Sequence, residues 1–152
     1  MSKTVGDILA GRPLHYVRAE WTVHRAVRTM ADRRVGAVCV LQDERVVGIF
    51  SERDLMTRVA LPRRDLETTR VAEVMTRDIV VASPRDTIVS CLHRMGRGGF
   101  RHLPIVEEGR LVGFVSFREL LQFDLDEKSV EIRAMTDYIR YTPGPGGDEP
   151  ED

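Results

Sequence analysis

Long apolar runs are missing from this sequence. No stretch approaches the roughly 20 apolar residues that span a bilayer, and Met1 to Ala10 carries no extended apolar core of the secretory type. Both absences point to a cytoplasmic protein. Neither sign of charge dominates: 23 Lys and Arg stand against 24 Asp and Glu, so no bulk positive field draws in nucleic acid or an anionic membrane. An anionic ligand must then be held by local charges. Aromatic residues are 6% of the chain and form no stripe interleaved with basic residues, which removes the usual platform for stacked bases. Cysteine occurs only as Cys39 and Cys91, each alone among apolar neighbours and outside any paired-cysteine motif. Both read as small buried hydrophobes. His15, His24, His93 and His102 form no recognisable metal or nucleophile arrangement with them, so neither a metal site nor an enzyme is expected.

What the chain does have is one passage written twice. Val46-Val47-Gly48-Ile49-Phe50-Ser51-Glu52-Arg53-Asp54-Leu55 returns as Leu111-Val112-Gly113-Phe114-Val115-Ser116-Phe117-Arg118-Glu119-Leu120, 65 residues later. The displacement holds without a gap from Thr22/Thr87 to Met56/Leu121, with identities at Thr22, Met30, Arg45, Val47, Gly48, Ser51, Arg53 and Leu55. Chance would supply roughly two or three such matches, so the unit is duplicated and the fold is pseudo-symmetric. At 152 residues the chain buries roughly two thirds of its unfolded surface, enough for two small cores sharing an interface.

Each copy carries a helical stripe spaced i, i+3, i+4, i+7: Val23, Ala26, Val27, Met30 and Ile88, Cys91, Leu92, Met95. Thr22 and Thr87 stand at the N-caps. Apolar runs follow at Val35 to Leu41 and Phe100 to Val106, then polar turns and second runs, which predicts a hairpin in each copy. Ser51-x-x-Asp54 and Ser116-x-x-Glu119 resemble capping boxes that open another helix. With leading strands at Tyr16 to Arg18 and Ile79 to Ala82, each unit reads β-α-β-β-α, an α/β (α+β) fold. Val71-Ala72-Glu73-Val74-Met75 echoes Val5-Gly6-Asp7-Ile8-Leu9 as a short entry helix. The expected organisation is a first repeat over 1–60, a linker over 61–70, a second repeat over 71–125, a C-terminal helix over 126–141 and a disordered Pro-, Gly- and acid-rich tail over 142–152.

With Val74-Met75-Thr76, Arg101-His102-Leu103-Pro104-Ile105-Val106 and the doubled Gly-x-x-Ser-x-x-Asp/Glu, the chain resembles a tandem pair of CBS (cystathionine β-synthase-type) domains over about Val5 to Leu121. It looks closest to the small stand-alone bacterial CBS-pair proteins. The resemblance implies a Bateman module, in which two repeats pack sheet against sheet about a pseudo-twofold and leave two clefts. Such clefts hold adenosine-containing ligands such as AMP, ADP, ATP, S-adenosylmethionine or NAD, and many modules are homodimers. No cofactor is required.

The same resemblance assigns ribose binding to Asp54, since a carboxylate accepts from both vicinal hydroxyls. Ser51 opens a helix whose free N–H groups favour a phosphate. Spacing alone favours a helix cap for both residues over a ligand contact, and the resemblance reverses that order for Asp54. In the second copy Ser116 keeps its place, while Glu119 sets the carboxylate one methylene farther out, so it either binds ribose or only completes the box. Arg101 and His102 lie where family members present basic groups to phosphate, and their counterparts are Gly36 and Ala37. That difference predicts unequal clefts, one tight and one weaker. Arg53 and Arg118 face phosphate, a partner subunit or solvent. Pro104 suits an edge or cleft, and the backbone at Tyr16, Val17, Val80 and Val81 is placed to read the adenine edge.

The function implied is regulatory adenine-nucleotide binding that senses energy or redox state through a change of shape or of affinity for a regulated protein. The competing reading is a ligand-independent dimeric scaffold in which both boxes are only caps.

Overall fold

The computed structural model describes residues 3–141, excepting the side chains of 131 and 138–141; the expected tail at 142–152 lies outside the described residues. The chain opens with α1 (Val5–Leu9), β1 (Tyr16–Arg18) and α2 (Val23–Arg33). The hairpin β2 (Ala37–Gln42) and β3 (Arg45–Ser51) follows. Then comes α3 (Glu52–Asp54), which widens directly into π-helical turns over Leu55–Ala60. The second half contains α4 (Val71–Val74), α5 (Ile88–Gly98), the hairpin β4 (His102–Glu107) and β5 (Arg110–Ser116), and α6 (Phe117–Tyr141). The helix expected at 126–141 is the second half of α6, because no residue after Leu121 breaks the helix opened at Ser116.

Local chemistry accounts for these elements. The Thr22 and Thr87 hydroxyls accept from Arg25 N and Ser90 N, satisfying one free donor at each helix start. Ala26 and Met30 are buried on α2, as are Cys91 and Met95 on α5, so each stripe faces a core. Both hairpins turn through two residues of left-handed backbone, Asp43 and Glu44 at φ 50° and 64°, and Glu108 and Gly109 at φ 51° and 79°. That conformation matches the twist of paired strands. Each hairpin also carries a bulge, at Val40/Leu41 and at Ile105/Val106.

The leading strands are where the copies part. β1 pairs in parallel with β2, Val17 opposite Val40, and Ala19 N continues the ladder to Leu41 O at 2.9 Å. In the second copy the strand expected at Ile79 to Ala82 is reduced to one bridge, Ala82 opposite Ile105, held by Ala82 N to Pro104 O (2.9 Å) and Val106 N to Ala82 O (2.8 Å). Proline is the reason. Pro84 stands where Ala19 donates, and Pro104 stands where Cys39 carries an N–H, so donors are missing on both sides of Ala82.

The entry helices are exchanged between the copies. Val5 N and Gly6 N donate to Asp86 O and Pro84 O, and the equivalent Val71 N and Ala72 N donate to Trp21 O and Ala19 O, at 2.9 to 3.0 Å. Val71, Val74 and Met75 thus lie in the core with Val17, Val23, Met30, Val38 and Phe50. Val5, Ile8 and Leu9 lie with Cys91, Met95, Leu103, Ile105 and Val115. Each compact unit draws on both halves of the chain. Between them a third cluster joins Cys39, Leu41 and Tyr16 to Leu111 and Phe114, where the two sheets meet. Burial pushes the thiols of both Cys39 and Cys91 up, as small core residues. Among the described residues no helix is long and apolar enough to cross a membrane.

Candidate functional site

Two clefts lie where each hairpin runs into its following helix, and the two are related by the repeat. In the first, β3 ends at Ser51 and α3 begins. The Ser51 hydroxyl accepts from Asp54 N (3.3 Å), while Asp54 Oδ2 accepts from Ser51 N and Ser51 Oγ, both at 3.0 Å. The other carboxylate oxygen accepts from Thr76 Oγ1 at 2.9 Å and lies 3.6 Å from Arg58 Nε. Arg58 in turn donates to Met75 O at 2.8 Å. Asp54 is 5% exposed. It still borders a cavity of about 160 Å³, lined also by Asp78, Ile79, Val80, Phe100, Arg101 and His102. Most of its acceptor capacity is spent on the protein itself.

The second cleft is larger, about 620 Å³, and lies at the start of α6. Ser116 Oγ accepts from Glu119 N (3.1 Å), and Glu119 Oε1 accepts from Ser116 N (3.3 Å). Glu119 Oε2 is ion-paired with Arg12. This carboxylate is far more open than Asp54, with 42% of its side chain exposed. Arg12, Pro13, Leu14 and His15 form one wall, Arg34 to Ala37 another, and Arg118 and Phe114 the rest. Arg33 Nη1 lies 2.6 Å from His15 Nδ1, and since a guanidinium only donates, His15 accepts there.

His102 borders both cavities and stacks on Phe114, ring centroids 5.4 Å apart. Burial holds its pKa below the ordinary histidine value, Glu119 acting against this and Arg101 with it. The imidazole is therefore neutral near pH 7. It supplies a hydrogen-bonding face but no charge.

The structure brings Ser51, Asp54, Val80, Arg101 and His102 together at one cleft, and Ser116, Arg118, Glu119 and again His102 at the other. It leaves the remaining candidates out of both. Val17 is fully buried in the first core, and its strand is paired to β2. Tyr16 packs on the cluster between the sheets. Arg53 projects to solvent one turn before Arg58, Val81 is exposed beside the truncated strand, and Pro104 is buried within β4.

The two clefts differ in charge as well as in volume. Around the small cavity two carboxylates, Asp54 and Asp78, face one guanidinium, Arg101. Around the large one three guanidiniums, Arg12, Arg34 and Arg118, face one carboxylate, Glu119. Arg12 and Arg34 escaped the reading of the sequence. Extending the echo of Val5-Gly6 in Val71-Ala72 sets Arg12 and Pro13 against Asp78 and Ile79, and that alignment carries the signal for the first of them.

Comparison with known proteins agrees with this architecture. The family described as CBS domain matches the chain twice, over residues 5–61 and 71–126. The Arabidopsis thaliana CBS domain-containing protein CBSCBSPB1 is 34% identical over 106 residues, covering 69% of this chain and 20% of that protein. The chain spans 20% to 60% of the length of the first three curated relatives. A crystal structure of a CBS-domain containing protein from Agrobacterium tumefaciens is 32% identical, covers 80% of this chain and 99% of that one, and superposes with a TM-score of 0.71. CBSX2, solved in complex with AMP, shares the fold at 24% identity and a TM-score of 0.70, over 83% of this chain and 98% of its own. Two matched repeats, exchanged entry helices and paired clefts lead to one conclusion: the chain belongs to the CBS domain family, as a tandem pair.

Proposed function

We propose that this chain is a regulatory module without catalytic turnover, which binds an adenosine-containing ligand, AMP, ADP, ATP or NAD, in the cleft at Glu119. The observation that carries the reading is the half-exposed Glu119 carboxylate at the start of α6, opening onto about 620 Å³ flanked by Arg12, Arg34 and Arg118. That volume falls within the ~300–1,000 Å³ of small-molecule sites, and the cavity at Asp54 does not. A carboxylate to take sugar hydroxyls and guanidiniums to take phosphate are the two chemistries a nucleotide asks for. The AMP complex of CBSX2 supports the fold's capacity for such a ligand. In this reading Asp54 caps and clamps the small cleft, and the ribose role expected of it passes to Glu119. Regulation follows only if the ligand prefers one shape of the module, for which the wall made by Arg12 to His15 is well placed because it belongs to neither hairpin. In this reading the module acts in the cytoplasm.

Calorimetric titration with AMP, ATP and NAD tests the proposal. Binding by the wild type and its weakening in Glu119→Ala are expected; no binding of any of the three to the wild type at millimolar concentration overturns it.

A second reading has its own observation. Leu121, Leu125, Ile132 and Met135 recur at spacings of four, seven and three along α6, with Lys128 at the seam position between, and are 40% to 66% exposed, a seam suited to a second copy of the chain. A homodimer that forms through this helix and whose melting is unmoved by nucleotides would be a scaffold, not a sensor. Sedimentation analysis with and without ATP separates the two.

A further inference from the structure

At one pair of positions the two repeats hold the same residue types in reversed order. Arg34-Val35-Gly36 ends α2 and enters β2; Gly99-Phe100-Arg101 ends α5 and enters β4. Both cap residues are left-handed, Arg34 at φ 56° and ψ 43°, Gly99 at φ 69° and ψ 21°. Both close the helix in the same manner, Arg34 N donating to Ala31 O and Met30 O, and Gly99 N to Met95 O. Glycine is the residue that takes this conformation without steric cost. The turn does not require arginine, and its backbone is less favourable for carrying one.

What arginine adds is its side chain. Arg34 lines the cleft at Glu119, and among the described residues its guanidinium makes no hydrogen bond or ion pair. Arg12 is engaged by Glu119 and Arg33 by His15, while Arg118, on the wall of α6, is like Arg34 without an ion pair among the described residues. Arg34 also comes from the repeat opposite Ser116, Arg118 and Glu119. A ligand whose sugar and first phosphate rest against the start of α6 therefore meets Arg34 from the far wall.

We infer that Arg34 determines specificity in this cleft, binding the distal phosphates of a nucleoside di- or triphosphate and so selecting it over the monophosphate. The inference rests on the proposed function of the same cleft. A guanidinium reads phosphate oxygens in bidentate fashion, and each further phosphate extends a ligand held at Arg118 towards the wall that carries Arg34.

The test compares AMP, ADP and ATP by calorimetry on the full chain, for the wild type, Arg34→Gly, and Arg97→Ala as an exposed arginine remote from the cleft. Glycine suits the left-handed cap, so Arg34→Gly keeps or raises the melting temperature without ligand. The wild type is expected to bind ADP and ATP at least about tenfold tighter than AMP. Arg34→Gly should bring that ratio to within about twofold by weakening ADP and ATP far more than AMP, and Arg97→Ala should preserve it. An unaltered ratio in Arg34→Gly, equal affinities for all three nucleotides in the wild type, or an equal collapse in Arg97→Ala overturns the inference while leaving the site itself standing. If the wild type binds none of the three, the proposed function falls and this inference with it.

Discussion

The Thr76 hydroxyl, carried on the lead-in to the second repeat, donates to Asp54 Oδ1 at 2.9 Å. Arg58 strengthens the same junction, reaching Asp54 with one part of its guanidinium and Met75 O with another. A residue whose sequence context suggests a ligand contact thereby ties the two repeats together. Asp54→Ala leaves Ser51, Thr76 and Arg58 without their acceptor. It should cost about 1–3 kcal/mol in urea denaturation while nucleotide affinity stays within twofold of wild type. A variant as stable as wild type that no longer binds nucleotide would return the ligand role to Asp54.

Glu119 is the converse case. Its carboxylate is exposed and its ion pair with Arg12 is at the surface, where such pairs contribute little to stability. Glu119→Ala should leave the melting temperature within about 2 °C of wild type. Nucleotide affinity, measured by calorimetry, should fall about ten- to a hundredfold with the lost charge-assisted hydrogen bonds.

His102 gives the module a pH dependence of predictable sign. Its folded pKa lies below the ordinary value of 6.5 because burial disfavours the imidazolium. Below pH 6.5 the unfolded chain takes up the proton before the folded one does, so this contribution is complete above 6.5 and is lost as pH falls towards the folded value. His102→Gln should flatten that part of the stability profile. Parallel profiles for the two proteins in denaturant titrations between pH 5 and 7.5 would contradict the assignment.

Gly48 and Gly113 are equivalent in the repeat, yet alanine should not cost the same at both. A Cβ at Gly48 would lie 2.7 Å from Thr76 O, a backbone atom, and 2.8 Å from Met75 Sδ. At Gly113 the nearest atom, 2.5 Å away, is the end of the Leu9 side chain, which can swing aside. Gly48→Ala should destabilise by about 1–3 kcal/mol, and Gly113→Ala by clearly less. Chemical denaturation of the pair decides it.

Much of the fold was legible because its causes are local. Thr22 and Thr87 cap their helices through contacts three residues away, and the stripes from Val23 and Ile88 declare a buried face by spacing alone. Proline at 84 and 104 was equally visible, but its effect on the leading strand depends on which carbonyl each absent N–H would have met, and that is a property of the pairing. The exchange of α1 and α4 has no local signature either. Val5 and Val71 read the same whichever core receives them.

The duplicated unit, its helix caps, its hairpins and its family are written in residue order, because periodicity, capping and turn chemistry act over a few positions. The ranking of the clefts is not. Asp54 and Glu119 occupy the same place in the repeat, and only the assembled chain decides that Thr76 and Arg58 engage one while the other opens onto a cavity among arginines. Electrostatics and volume at a site sum over groups far apart in sequence, and folding is what sets the distances between them.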